Sequence, residues 1–334
     1  MQENKRATAI ILCVVILVTF VVNGILIWQL LPRRAPVQTF GVYWQRGVTN
    51  NTWAGIGVDQ CDVTLLDFAK ANGVNEIYLN HGGNMYLAGN AWGTTGINNV
   101  VNPTRRFISA AHDRGIRVFM LFDSSGNILL EADSVIRNSR HRFNRQMVGL
   151  KAYQATVNEH ERFAGIQFNV EPHQQRDPET GWYAQRAVWT QRKINFVQEI
   201  HDNYGNYFTI DWCIPAWWHS SYHEVIHRGV SGVPLYQAIM REGNRTFVMA
   251  FRNTAEAMVS FGREVLEFGN KIGQEVIMLA AVLADPYPHV YFARLGAEEM
   301  LYQLGRLESI VKNQIGNMRI GTAVHQIAQW YNWP

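Results

Sequence analysis

The stretch FAGIQFNVEPH, Phe163–His173, decides the fold. It reads as a buried strand, apolar on both faces, that ends in the carboxylate of Glu171, with Pro172 fixing the turn behind it. A strand apolar on both faces belongs in a parallel sheet covered on both sides by helices. Two positions break the apolar run, and both are amides, Gln167 and Asn169. An amide keeps its hydrogen bonds but carries no charge and exchanges no proton.

Working outward, seven more runs have the same character. They are Thr39–Trp44, Asn75–Asn80, Ile116–Phe122, Tyr207–Ile214, Thr246–Phe251, Glu275–Leu283 and Met318–Val324. Helical patterns lie between them. VTLLDFAKANG ends on Gly73, and PTRRFISAAHDRG starts on Pro103 and ends on Gly115, as helix ends require. Further helices are expected over about Arg145–Arg162, Ala187–Asp202, Ala255–Lys271 and Ala297–Asn313. Eight strand–helix units predict an α/β chain of (β/α)8 TIM-barrel type. The alternative, an open doubly wound sheet, lacks a glycine fingerprint after its first strand.

In such a barrel the chemistry sits at the C-terminal strand ends. That rule selects Tyr43 and Trp44 after the first run, Asn80 after the second and Asp123 after the third. Asn169, Glu171 and His173 follow the fourth, and Asp211 and Trp212 lie on the fifth. Arg252, Asp285 and His325 follow the sixth, seventh and eighth, with Trp330 beyond. Glu171 is the strongest of these. Partial desolvation at the end of a buried strand raises a carboxyl pKa, which suits a general acid. A second carboxylate is needed for glycoside hydrolysis, and Asp285, Asp123 and Asp211 are the candidates, although Asp211 sits inside its strand as a structural acid would. Asp123, in FDSSGN, suits substrate binding or a turn cap equally. Trp44, Trp217, Trp218 and Trp330 are offered as stacking platforms among eleven tryptophans.

A competing motif is His223-Glu224-x-x-His227, with His219 nearby. On a sustained helix it would place two imidazoles on one face and imply zinc hydrolysis. Gly229 and Gly232 follow at once and argue against that helix, so no metal is expected. No cofactor is expected either, because no phosphate-binding glycine loop is present. A net charge of +3, with no Lys/Arg run, excludes nucleic acid as a partner. The three cysteines build no disulfide framework, and their number leaves open whether Cys61 and Cys213 pair.

Residues 1–6 form a short tail, and Ala7–Leu31 contain no charge. A helix of that length spans the ~30 Å of a bilayer's hydrocarbon core. The run exceeds a secretory core and lacks a clear cleavage site, so an uncleaved anchor is expected, with Trp28 at the interface and the lipid bilayer as its partner. Lys5 and Arg6 on one side nearly balance Arg33 and Arg34 on the other. A single-pass protein with residues 32–38 as linker and an extracytoplasmic barrel over 39–334 is expected. The sequons at Asn50 and Asn244 are compatible with that side.

At this point the chain resembles glycoside-hydrolase-like (β/α)8 proteins. Gly165–Glu171 is similar to the D-G-x-D-x-D-x-E strand of the family-18 chitinase-like group, with Glu171 at its proton donor. Val248–Arg252 is similar to its M-x-Y-D strand, and Trp330 to its pocket-floor tryptophan. A poorly characterised D-[IV]-E-P-H branch is matched by NVEPH (169–173), PAWW (215–218), MAFR (249–252) and AVH (323–325). Asn169 stands where the group carries an Asp, and the seventh run lacks, at its C-terminal end, the Glu that would be the natural second carboxylate. The resemblance implies a membrane-anchored glycosidase with Glu171 as general acid/base. The alternative is an inactive barrel that binds carbohydrate through the same aromatic cleft.

Overall fold

The computed structural model describes residues 38–44, 60–80, 101–129, 134–219, 223–282, 289–331 and 333. Eight parallel strands close into a barrel. In chain order they are β1 (Phe40–Trp44), β2 (Glu76–Asn80), β3 (Arg117–Ser124), β4 (Gly165–Val170), β5 (Ile210–Pro215), β8 (Arg245–Met249), β9 (Glu275–Ala281) and β10 (Ile320–His325). β1 pairs with both β2 and β10, which completes the ring. The helices are α1 (Gln60–Ala71), α2 (Asn102–His112), α3 (Ser134–Thr156), α4 (Arg186–Tyr204), α5 (Leu235–Glu242), α6 (Ala255–Ile272), α7 (Ala297–Gln314) and α8 (Ile327–Tyr331). The predicted (β/α)8 architecture is the observed one. α3 begins about three turns ahead of its expected start near Arg145, because its polar first half carries no apolar stripe to mark it.

The period of two along each strand divides the core. Outward-facing Val42, Ile77, Met120, Phe168, Ile214 and Met278 join the helices in the larger apolar layer. The inward set forms a separate plug of Tyr43, Tyr78, Phe119, Leu121, Cys213, Phe247, Ile277, Leu279 and Ala323. Tyr78 is its hub, with ring centroids 4.8 Å from Phe247, 5.4 Å from Tyr43 and 5.7 Å from Phe119. Gly41 gives this ring its room, since a Cβ there would overlap Tyr78.

Below the plug, at the N-terminal strand ends, lies a buried charge layer. Arg245 donates from Nη1 to both oxygens of Glu76 at 2.9 Å, and from Nε and Nη2 to Asp211 Oδ2 at 3.1 and 2.6 Å. Arg117 and the Tyr78 hydroxyl also donate to Glu76. Burial pushes Asp211 up to about 6 despite Arg245 beside it.

Several expectations change here. The 223–227 segment is not helical. Glu224–His227 is strand β6, paired antiparallel with β7 (Val230–Pro234). Arg228 and Gly229 both take positive φ, the geometry of a tight two-residue hairpin turn that a zinc-binding helix has no place for. His227 instead bonds Glu242 at 2.7 Å. Cys213 is a free thiol inside the plug and is not bonded to Cys61. The anchor over 7–31 and the sequon at Asn50 lie outside the described residues. No helix among the described residues is long and apolar enough to cross a membrane. Asn244 accepts from the Ile210 amide at 2.7 Å at the bottom of the barrel.

Candidate active site

At the C-terminal mouth the ends of β3 and β4 bring two carboxylates together. Asp123 and Asn169 are register partners on neighbouring strands. Asn169 Nδ2 donates to Asp123 Oδ1 at 3.2 Å and to Glu171 Oε1 at 2.8 Å. One nitrogen therefore holds both acids, and the two accepting oxygens lie no more than about 6 Å apart. Glu171 Oε2 accepts from Gln174 at 2.9 Å and lies 3.1 Å from His173 Nε2.

The backbone fixes the same pair. The Glu171 amide donates to Ser124 O at 2.8 Å, so the residues after Asp123 and after Asn169 are tied together. Gly126, at φ 94°, lets its loop pass over Pro172, where a Cβ would stand 2.7 Å from Pro172 Cα. Gln175 reaches back to Ser125.

The electrostatics of the two acids diverge. Burial and the charge of Glu171 push Asp123 up to about 6, against the hydrogen bond from Asn169. Burial also pushes Glu171 up, but hydrogen bonds from His173, Asn169 and Gln174 outweigh it and hold the carboxyl below its usual range. The expected order is thus reversed, with Asp123 holding its proton to a higher pH than Glu171. Pairs of titratable groups pushed apart by their surroundings mark acid and base roles.

Around the pair stand Tyr43, His325 and Asn80. Tyr43 accepts from Gln167 Nε2 at 2.9 Å, and its ring lies 5.3 Å from His325. Burial lowers the His325 pKa, against the pull of Glu171. Asn80 ends β2 on the inward parity of Glu76 and Tyr78. Beside Glu171 an aromatic cluster gathers His173, Trp182, Trp217, Trp218 and His223. Trp217 lies 5.2 Å from His173, and Trp182 stacks on Trp218 at 6.0 Å. Trp182 and Trp218 are fully buried, and Trp217 is only partly so.

Other predicted residues lie elsewhere. Asp211 belongs to the charge layer at the opposite end, so it does not assist Glu171. Trp44 and Trp212 follow inward-facing neighbours and so face the helices. Trp44 packs on Phe107 of α2, and Trp212 on Phe168 and Phe196. Trp330 is buried against Phe68 of α1 and is no pocket floor. Arg252 turns back over Phe261, 3.9 Å from its ring. Asp285 lies outside the described residues. Strand parity gave the signal for Trp44 and Trp212, because each adjoins a residue already assigned inward. Gln174 and Trp182 carried no sequence signal. Among the described residues, no group of three or more metal-ligating side chains is placed to hold a metal ion.

No family model and no curated protein matches the chain. Solved structures do. A family GH18 chitinase from Chromobacterium violaceum superposes with a TM-score of 0.50 at 12% identity, over 88% of this chain and 79% of that one. An endo-1,4-beta-D-mannanase from Thermotoga petrophila gives 0.47 at 11%, over 86% and 87%. The C-terminal domain of a putative chitinase from Desulfitobacterium hafniense gives 0.44 at 14%, over 73% of this chain and 66% of that domain, just under two thirds of its length. With the closed parallel barrel, the likeness to the chitinase establishes the fold, a (β/α)8 barrel, and the fold alone.

Proposed function

We propose that this chain is a glycoside hydrolase in which Asp123 is the acid and Glu171 the nucleophile. The observation that carries the proposal is the Asn169-bridged carboxylate pair at the mouth, with opposite pKa displacements. Asp123 donates its proton to the glycosidic oxygen as the bond to the anomeric carbon breaks. Glu171 attacks that carbon and forms a glycosyl ester. Water then displaces Glu171, with Asp123 taking the proton back. A separation of about 6 Å or less between the two oxygens suits this double displacement. Single displacement through a water needs ~6.5–9.5 Å between the carboxyl groups. Trp217 offers a partly open ring to a sugar face.

The binding-only reading has its own support. Glu171 is held by Asn169, Gln174 and His173 together, a satisfied carboxylate of the kind that also braces a lectin site. A glycan panel assayed with the wild-type barrel, Glu171→Gln and Asp123→Asn separates the two. Hydrolysis lost by at least a hundredfold in both variants supports the enzyme. Hydrolysis unchanged in either variant sinks that residue's role, and glycan binding without turnover in wild type supports the lectin. We also propose that residues 7–31 anchor the chain with the barrel extracytoplasmic, on the strength of the charge-free run. Release of the full chain from membranes by alkaline carbonate would refute the anchor.

A further inference from the structure

His173 stands in a cage of indoles. It lies in the short 3-10 helix Pro172–Gln174 that turns the chain away from the end of β4. Its ring lies 5.2 Å from Trp217, 6.0 Å from Trp218 and 6.4 Å from Trp182, at 82°, 88° and 78° to their planes. Trp182 and Trp218 stack within 17° of parallel, and Trp217 stands at 82° and 88° to them, so the imidazole is walled from two perpendicular directions. A ring held in this way meets an indole when it turns about its own axis. Behind the cage, His223 stacks on Trp182 at 5.6 Å.

The cage sets which ring nitrogen meets the carboxylate. Nε2 lies 3.1 Å from Glu171 Oε2, whereas Nδ1 is buried and has no hydrogen-bond partner among the described residues. An ionised carboxylate only accepts, so Nε2 carries a proton whether the ring is neutral or charged. Gln174 Nε2 donates to the same Oε2 at 2.9 Å. A carboxylate oxygen offers about two lone pairs, and both of those on Oε2 are then taken. Among the described residues Oε1 accepts from Asn169 alone, at 2.8 Å, and keeps a lone pair free. We propose that His173 is a positioning residue which, with Gln174, ties down Oε2 and leaves Oε1, on the Asp123 side, as the oxygen that attacks. The proposal rests on the reading of Glu171 as the nucleophile and deepens it. Oε1 bonds to the anomeric carbon as that carbon's bond to the leaving oxygen breaks, and Asp123 gives the leaving oxygen its proton. His173 acts through Glu171 and takes no part in the bonds that change.

The test uses the full chain and two substitutions that separate the bond from the packing. His173→Phe keeps a ring in the cage and loses the donor. His173→Gln loses the ring and keeps an N–H donor on the side of Oε2. On a glycan that the wild type hydrolyses, His173→Phe is expected to lower kcat by roughly ten- to a hundredfold with KM little changed. His173→Gln is expected to keep more of kcat than His173→Phe does. In 13C titrations of labelled glutamate, His173→Phe should move the Glu171 midpoint upward, and His173→Gln should move it less. The opposite ranking, with Phe tolerated and Gln damaging, assigns His173 to packing and overturns the proposal. A Glu171 midpoint that ignores His173→Phe overturns it too. If neither variant folds, 15N NMR of the histidine-labelled wild type decides. The neutral ring should hold its proton on Nε2, and a proton on Nδ1 instead overturns the proposal. An Nε2 proton in place, with no glycan hydrolysed by the wild type, sinks the hydrolase and leaves the hold on Glu171 standing. Hydrolysis by the wild type with kcat unchanged in His173→Phe sinks the positioning role alone.

Discussion

Replacing Glu171 by Gln should make Asp123 a stronger acid. The variant keeps the shape of the side chain and removes one negative charge no more than about 6 Å from Asp123 Oδ1. Two unit charges at that distance interact by ~0.7 kcal/mol in water and ~2.8 kcal/mol at an effective dielectric of 20. Asp123 opens to solvent on one side at the rim although the walls of the mouth desolvate its carboxyl, so solvent screening places the effect near the lower figure. One pKa unit corresponds to about 1.36 kcal/mol, and the midpoint should fall from about 6 by roughly 0.5 to 1 unit. It should not return to 3.8, because burial, the larger cause, is untouched. A 13C titration of the aspartate carboxyls in both proteins measures the shift. An Asp123 that titrates near 3.8 in the wild type, or that ignores the substitution, refutes the reasoning. The same displacement has a stability consequence. A carboxyl with a raised folded-state pKa binds its proton more tightly when folded, so ionising it costs stability. The cost is absent below 3.8 and complete above about 6. After screening, Asp123→Asn should be more stable than wild type by about 1 kcal/mol at pH 7, with the gap closing toward pH 4.

Three further outcomes are expected. Arg245→Met leaves Glu76 and Asp211 buried without their shared cation and should cost ~3–5 kcal/mol in urea denaturation; a loss below about 1 kcal/mol contradicts the charge layer. Trp212→Ala should cost ~3–5 kcal/mol by opening a cavity beside Phe168. Trp217→Ala should cost much less stability and should weaken glycan binding roughly tenfold by calorimetry, about 1.4 kcal/mol. For any glycan that is hydrolysed, kcat/KM should rise as Glu171 ionises below 4.5 and fall tenfold per unit as Asp123 loses its proton above about 6.

The barrel was legible because it is written locally. Each strand is a short apolar run, and each of the first two helices is followed by a glycine with positive φ, Gly73 and Gly115. The mouth was legible in outline, since the strand-end rule selected Asp123, Asn169, Glu171 and His173, which do meet. What was not legible depends on separation in sequence. Nothing near Asp211 announces Arg245, 34 residues on, which fixes it as structural. The reversal between Asp123 and Glu171 follows from desolvation of Asp123 beside the charge of Glu171 and from the bonds His173, Asn169 and Gln174 make to Glu171, an arrangement made only once β3 and β4 are in register. The tryptophans were misplaced for another reason. Composition weighs them equally, whereas strand parity turns Trp44 and Trp212 away from the mouth.

The aromatic plug separates two electrical compartments. Charge on the floor, at Glu76, Asp211 and Arg245, is divided from charge at the rim by a layer of rings and aliphatic side chains centred on Tyr78. The two ends can therefore drift independently in evolution. The floor can be rewritten for heat or salt tolerance while the rim keeps its acid and its anion, and a new chemistry can be tried at the rim with the floor still holding the barrel shut.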